Sequence, residues 1–395
     1  MAPSFFMYCY PWDLDDEGVE LSIGTLAGRV GVDAVSVAAS LHGVREHRGR
    51  QMGNRRTVEY DAAVHFRPDS GCYANTRLRP VVAPWLRSRN PLQRIADEAL
   101  KQGIRLRVWS ACCHSSTLVA RYPSASCVDV FGDSVSTWLC PSNPDVREYL
   151  VALVRDLGAH YAVDALELEA AHFGHGGHAH RHLTCGVLPN EAQRTVLGWG
   201  FCASCRQRAR RNGIDADAVA AKTQGLLAAM YRLEPTPTDS AAALIAADEA
   251  LLAYHRMRVE TVASLVELAR SRTEARLVVR FPDMALNPYD TGVDPVAVRK
   301  HCDALSLPLP APADPPAQRV LEKIVAAMGG PGAAEVTMDC HPPRFQDGPT
   351  LVAEVKRLAA QGYAAIGFSN YGVAPEPCLD WVRQAIRFAR REGGV

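Results

Sequence analysis

Eight short apolar runs recur along the chain, most of them separated by stretches with helical spacing. They are FFMYCYPW at 5–12, the run from Asp33 to Leu41-His42, Ile104 to Cys113, Ala165 to Ala171, RLVVRF at 276–281, DALSLPL at 303–309, AEVTMDC at 334–340 and AAIGFS at 364–369. Runs this short, bounded by Gly, Pro, Asn or Asp, read as buried strands. Between them, apolar residues at three- and four-residue spacing predict helices. One covers about 18–30 (Leu21, Ile23, Leu26, Val30), and another covers 91–102, with Pro91 at its start and Gly103 as its stop. After Asn143-Pro144, a cap and a first-turn proline, the stripe Val146, Tyr149, Leu150, Leu153 and Leu157 marks a third. Further helices are expected at about 315–328, 349–361 and 377–391. The arginine-rich stretch from Gly43 to about Asn75 has no clear period and reads as a long loop.

Alternating strands and helices that close after eight repeats predict a (β/α)8 TIM barrel, α/β in class, with 1–395 as a single domain. A doubly wound open sheet is the competitor, but no GxGxxG or GxxxxGK[ST] follows any strand. The region from about 174 to 275 is far longer than a usual strand-to-helix connection and reads as a helical insertion, with helices near 216–232 and 238–272. The second carries an apolar stripe (Leu244, Ala247, Leu251, Tyr254, Met257, Val262, Leu265) that could pack on the barrel or on a second copy, so a homodimer is one expectation.

Charge narrows the partners. Lys plus Arg and Asp plus Glu both number 43, so no basic surface for nucleic acid is expected, and the run Arg206 to Arg211 reads as the solvated face of a helix. No apolar run reaches the roughly 20 residues a membrane span needs, and the start shows neither a charged region nor a small-residue cleavage site. Twelve cysteines, several inside strands, read as buried thiols of a cytoplasmic protein.

The chemistry gathers between Val163 and His182, VDALELEAAHFGHGGHAHRH, where two glutamates precede five histidines. Strand alternation puts Glu167, Glu169 and Ala171 on one face and Leu166 and Leu168 on the other, so both carboxylates should point into the barrel. Barrel enzymes place their reactive groups at strand C-termini. There this chain has Tyr8, Tyr10 and Asp13, then His42, His114, His172, Arg280 and Asp283, Asp339 and His341, and finally Asn370 and Tyr371. Two carboxylates in a partly desolvated mouth are what glycoside hydrolysis needs, one protonated for the leaving oxygen and one to attack or to activate water. Glu169 and Asp339 form the best pair. The deeper Glu167 is a third candidate, but is the more natural partner for Arg105, Arg107 or Arg280. Tyr10, His42, His114, His172, Arg280, His341, Asn370 and Tyr371 are the candidate substrate contacts for a small carbohydrate. Each could instead be ordinary packing.

The segment NPDVREYLVALVRDLGAHYAVDALELEAAHF resembles the N-P-x-V-R-x-Y … D-G-(I/L)-x-(L/F)-(D/E) … F signature of bacterial glycoside-hydrolase-like (β/α)8 proteins. Downstream, GWGFCASCRQRARRNGIDAD is similar to a C-F-C-x-x-C-R element found in some of them. The match covers about 70 residues. By this resemblance Glu169 takes the acidic position that closes strand four and lies in the sugar site, and Asn143, Pro144, Arg147 and Tyr149 take the helix signature. Ala165 stands where the pattern usually has Gly, and Glu169 where Asp is common.

Two rivals remain. His178, His180 and His182 alternate, so an extended segment would offer three imidazoles to a divalent metal such as Zn or Mn, and a metal-dependent lyase or isomerase would follow. Cys202 and Cys205 are half of a tetrahedral zinc site that Cys185 or a loop histidine could complete. The other rival is a carbohydrate-binding barrel without catalysis. The glycosidase reading requires no cofactor.

Overall fold

The computed structural model of the chain describes residues 3–50, 56–174, 186–282, 288–311 and 314–392. Eight strands form at the eight apolar runs: β1 (Ser4–Cys9), β2 (Ala34–Leu41), β3 (Arg105–Ala111), β4 (Val163–Glu169), β5 (Arg276–Arg280), β6 (Ala304–Pro308), β7 (Ala334–Asp339) and β8 (Ala365–Ser369). Each pairs in parallel with the next. β1 joins β8 through Phe6↔Gly367 and β2 through Phe6↔Ala34, so the sheet closes on itself. The protein is a (β/α)8 barrel.

Helices form where capping chemistry meets an apolar stripe. The helix Pro144–His160 starts at Asn143, whose side chain accepts from the amides of Asp145 (2.9 Å) and Val146 (3.3 Å), and it buries Val146, Tyr149, Leu150, Leu153 and Leu157. The helix Gly348–Gln361 is capped by Asp347 and stops at Gly362, which takes a left-handed conformation at φ 85°. Between β4 and β5, helices at Glu191–Leu197, Ala203–Arg211, Ala216–Tyr231, Ala241–Ala246 and Glu249–Arg270 share an apolar cluster of their own. The stripe on the last of these packs inside the chain, with Leu251, Tyr254 and Met257 in that cluster and Val262 and Leu265 in the main core. Only Ala247 of the expected stripe is exposed, because the helix breaks there and restarts from the Asp248 cap.

The stretch expected to be a loop after β2 is partly a hairpin. Val44–His47 pairs antiparallel with Thr57–Tyr60, and Ala63–Val64 adds to the end of β2. Its buried positions are largely polar (Glu46, Arg48), so hydrophobic alternation does not reveal it.

Inside the barrel the alternation is consistent. Outward residues such as Leu166, Leu168, Val336 and Met338 meet the helices. Inward residues are small at some positions (Ala34, Ala165, Ala304, Ala365, Gly367), which leaves room for long charged chains. The Arg107 guanidinium is bound by Glu335 (3.1 Å to Oε1), lies 3.9 Å over the Phe6 ring and comes within 3.6 Å of Glu167; Arg276 adds a second contact to Glu335 at 3.1 Å. Gly367 is required by close approach: a Cβ there would sit 2.5 Å from Cζ of the buried Phe6. Gly367→Ala is therefore expected to cost about 1–3 kcal/mol through overpacking, read as a lower urea midpoint at unchanged slope; an unchanged midpoint would show that Phe6 can yield.

Candidate active site

The C-terminal ends of the strands build the site in two tiers. The lower tier is a closed polar cluster centred on Glu167, which is 1% exposed. The Tyr8 hydroxyl donates to its carboxylate (2.7 and 2.8 Å), and Arg280 approaches from β5 at 3.4 Å. Arg280 also donates to the Tyr8 oxygen at 3.1 Å, and Ser306 lies 3.3 Å from the same oxygen. Burial, then the Glu167 charge, raises the Tyr8 hydroxyl well above its ordinary pKa, so it stays a donor. Glu167 is thus held by one neutral donor and two cations.

The upper tier faces the opening. Two residues further along β4, on the same face, Glu169 is only half-buried, and its Oε2 is buried with no hydrogen-bond partner among the described residues. The Trp109 ring occupies the next strand, and its indole Nε1 is likewise buried without a partner among the described residues. Tyr10 stacks on Trp12 (4.6 Å) and sits 6.0 Å from Trp109. Burial raises the Tyr10 hydroxyl, as do the charges of Glu46, Glu169 and Asp13, while Arg280 opposes them. Asp339 closes β7 three strands around the barrel from β4 and is exposed, in register with Ser369.

A ladder of rings lines the β2–β4 side. His42 stacks on His114 (4.7 Å), His114 on Trp138 (4.5 Å), and Trp138 lies 5.5 Å from His172. The Trp138 indole donates to the His172 carbonyl (2.7 Å), and Gly174 passes so close to Trp138 that a Cβ would lie 2.9 Å from its Cγ. Backbone carbonyls set the imidazole tautomers: Nδ1 of His42, His172 and His341 each donates to the next residue's carbonyl, at 2.8, 2.6 and 2.7 Å. A cleft of about 1000 Å³ opens between the hairpin, the helix Ser116–Arg121 and the strand Ser134–Leu139. Asn370 is buried, with its side-chain oxygen accepting from Gly372 at 3.0 Å. Tyr371 is fully buried under Arg50, whose guanidinium lies 3.7 Å over the ring. His178, His180, His182, Cys185 and Asp283 lie outside the described residues. Cys202 and Cys205 are buried beside Cys140.

Sequence reading placed Asp13 at the end of strand one but missed Glu46 and His65, which build a wall with it that continues from Tyr10. Asp13 and Glu46 are nearly sealed from solvent. Arg48 binds Asp13 at 2.8 Å and the Trp12 indole donates to Glu46 at 2.7 Å. Burial raises both carboxyls, and the Glu46 charge raises Asp13 further. The signal in sequence was charge complementarity: the acidic run PWDLDDE after β1 and the basic REHRGR after β2 are both near barrel rims.

His65 completes this wall, accepting at Nδ1 from the Trp85 indole (3.0 Å), and burial holds its pKa down to about 3. Its unfolded value is near 6.5, so the folded chain binds fewer protons. Stability from this group is full above about pH 6.5 and is lost as pH falls toward 3. His65→Gln is expected to flatten that acid-side loss relative to wild type, measured as urea midpoints across pH; parallel curves would place the loss elsewhere.

The architecture is that of a barrel whose strand ends carry a carboxylate and aromatic mouth. No protein-family profile matches the chain, and no curated protein sequence is similar to it. Solved structures do share the fold. The PgaB (BpsB) glycoside hydrolase domain from Bordetella bronchiseptica aligns over 98% of both chains at 15% identity and TM-score 0.57. The α-L-fucosidase isoenzyme 2 from Paenibacillus thiaminolyticus aligns over 99% of this chain and 50% of its own, at 10% identity and TM-score 0.59. The β-galactosidase from the psychrophilic Marinomonas ef1 aligns over 99% and 60%, at 12% identity and TM-score 0.58. At these identities the likeness is one of fold. No helix among the described residues is long and apolar enough to cross a membrane.

Proposed function

We propose that the chain is a glycoside-hydrolase-type enzyme acting on a small glycoside or sugar derivative, with Glu169 as general acid/base. The observation that carries this reading is the contrast along β4. Glu167 is saturated by Tyr8, Arg107 and Arg280, whereas Glu169 presents a buried oxygen with no partner among the described residues. A buried carboxylate oxygen without a donor is costly, and a substrate hydroxyl or a glycosidic oxygen would supply the missing hydrogen bond. Tyr10 and His42, the partly exposed rings backed by Trp109 and by the His114–Trp138 stack, are the flat faces on which a sugar ring would stack. Arg280 and the Tyr8 hydroxyl form a rigid cationic floor beneath.

In this mechanism Glu169 delivers a proton to the leaving oxygen as the anomeric C–O bond breaks. Asp339 is the proposed second carboxylate, attacking the anomeric carbon or deprotonating a water. Its exposure suits a group that meets solvent or a mobile substrate. His172 and His341, with their Nδ1 protons committed to carbonyls, would turn Nε2 toward sugar hydroxyls as acceptors. The test is a panel of aryl and natural glycosides with the wild type and Glu169→Gln. Turnover of at least one substrate, lost in the variant, supports the reading. Tight sugar binding with no turnover by either protein would replace it with a carbohydrate-binding barrel.

A further inference from the structure

The sugar-site reading leaves one cluster of nucleophilic side chains unused. Cys140 follows the strand Ser134–Leu139 in the connection after β3, Cys202 caps the helix Ala203–Arg211, and Cys205 lies in that helix's first turn. All three are buried, yet 62 or more residues of chain separate Cys140 from the other two. Their sulfur atoms are mutually 3.3 Å (Cys140–Cys202), 3.4 Å (Cys140–Cys205) and 3.6 Å (Cys202–Cys205) apart. A disulfide needs about 2.05 Å and joins only two sulfurs. The edge of a zinc–thiolate tetrahedron, with Zn–S near 2.3 Å, is about 3.8 Å, and it joins all of them. A fourth buried thiol, Cys127, lies on the paired strand Ser126–Val128, whose Ser126 stands opposite Leu139, the neighbour of Cys140; it lies outside the tight three-sulfur group.

We propose that Cys140, Cys202 and Cys205, completed by Cys127, hold a structural zinc ion that staples the helical segment after β4 to the hairpin after β3. Cys127 now donates to the Leu139 carbonyl at 3.6 Å and would turn from that weak contact toward the ion. Binding releases to solvent whatever protons these sulfurs still carry and leaves a Zn(S)4 centre of net charge −2. The surroundings suit that charge. The N-terminus of the helix Ala203–Arg211 points at the sulfurs, and Arg208 and the fully buried Arg258 lie within electrostatic reach of Cys205. Four protein ligands leave no position for water, so the centre acts on structure.

What it would hold is part of the mouth. Trp138 is two residues before Cys140, and its ring and indole N–H reach His114 and His172. On the other side of the cluster, the Phe201 amide donates to the Val128 carbonyl at 2.7 Å and the Tyr254 hydroxyl to the Gly200 carbonyl at 2.6 Å. The ion would tie these contacts into one unit.

The experiment is elemental analysis of the full chain purified without a metal-affinity tag, followed by replacement of the metal with cobalt(II). About one zinc per chain and a thiolate-to-cobalt charge-transfer band are expected. Cys140→Ser and Cys205→Ser should lose both and melt at a lower temperature, and Cys127→Ser should bind zinc at least tenfold more weakly. Should the serine variants fail to fold, the wild type decides alone: its four cluster thiols should resist a thiol reagent until a chelator is added. A reduced, folded wild type that takes up neither zinc nor cobalt, or one with a disulfide among these cysteines, overturns the proposal. Unchanged zinc affinity in Cys127→Ser removes that residue from the set.

Discussion

Glu169→Gln is expected to lower turnover of the glycoside substrate by about 10²- to 10⁴-fold while leaving the urea midpoint close to wild type, because that is the usual worth of a positioned general acid/base. The side chain is isosteric, half-buried and makes no described hydrogen bond that the amide would forfeit. Glu167→Gln, two residues earlier on the same strand face, should behave in the opposite way. Its carboxylate accepts from Tyr8 and faces both Arg107 and Arg280, so the neutral amide leaves two buried cations short of a counter-charge. Breaking such a pair costs about 3–5 kcal/mol. One chemical change at two adjacent inward positions thus separates a kinetic from a structural carboxylate. A Glu169→Gln enzyme with full turnover would sink the catalytic assignment. Equal destabilisation by both variants would show that Glu169 also belongs to the barrel's ion network.

Arg107→Met is expected to damage the fold as much as Glu167→Gln, by about 3–5 kcal/mol in denaturant unfolding. The guanidinium is 2% exposed, paired with Glu335, stacked over Phe6 and close to Glu167. Methionine retains the apolar stem but leaves the fully buried Glu335 with Arg276 alone. Arg107→Met combined with Glu335→Leu should recover much of the loss, since a matched apolar replacement of a buried pair is often nearly neutral. A single-variant loss below about 1 kcal/mol would mean that water or a relaxed Arg276 takes over the charge.

The order of elements was legible because burial on both faces of a parallel strand writes itself as an apolar run, and helix caps such as Asn143 and Asp347 are local chemistry. The strand period likewise determined that Glu167 and Glu169 share the inward face. The two nevertheless differ because of partners 113 or more residues away in the chain, such as Tyr8 and Arg280, and no local pattern carries that distance. The hairpin after β2 was illegible for a related reason. Its buried face is made of Glu46 and Arg48, whose burial is tolerable only because Trp12, Asp13 and Asp16 meet them from another strand's end. The half-site Cys202–Cys205 was visible as a spacing, but Cys140 joins it only when the barrel brings two connections together. Sequence alone thus determined the barrel and the side each strand residue faces, which depend on local periodicity and capping. Tertiary structure alone decided which carboxylate is neutralised and which keeps an oxygen without a partner among the described residues, because charge compensation depends on distance in space.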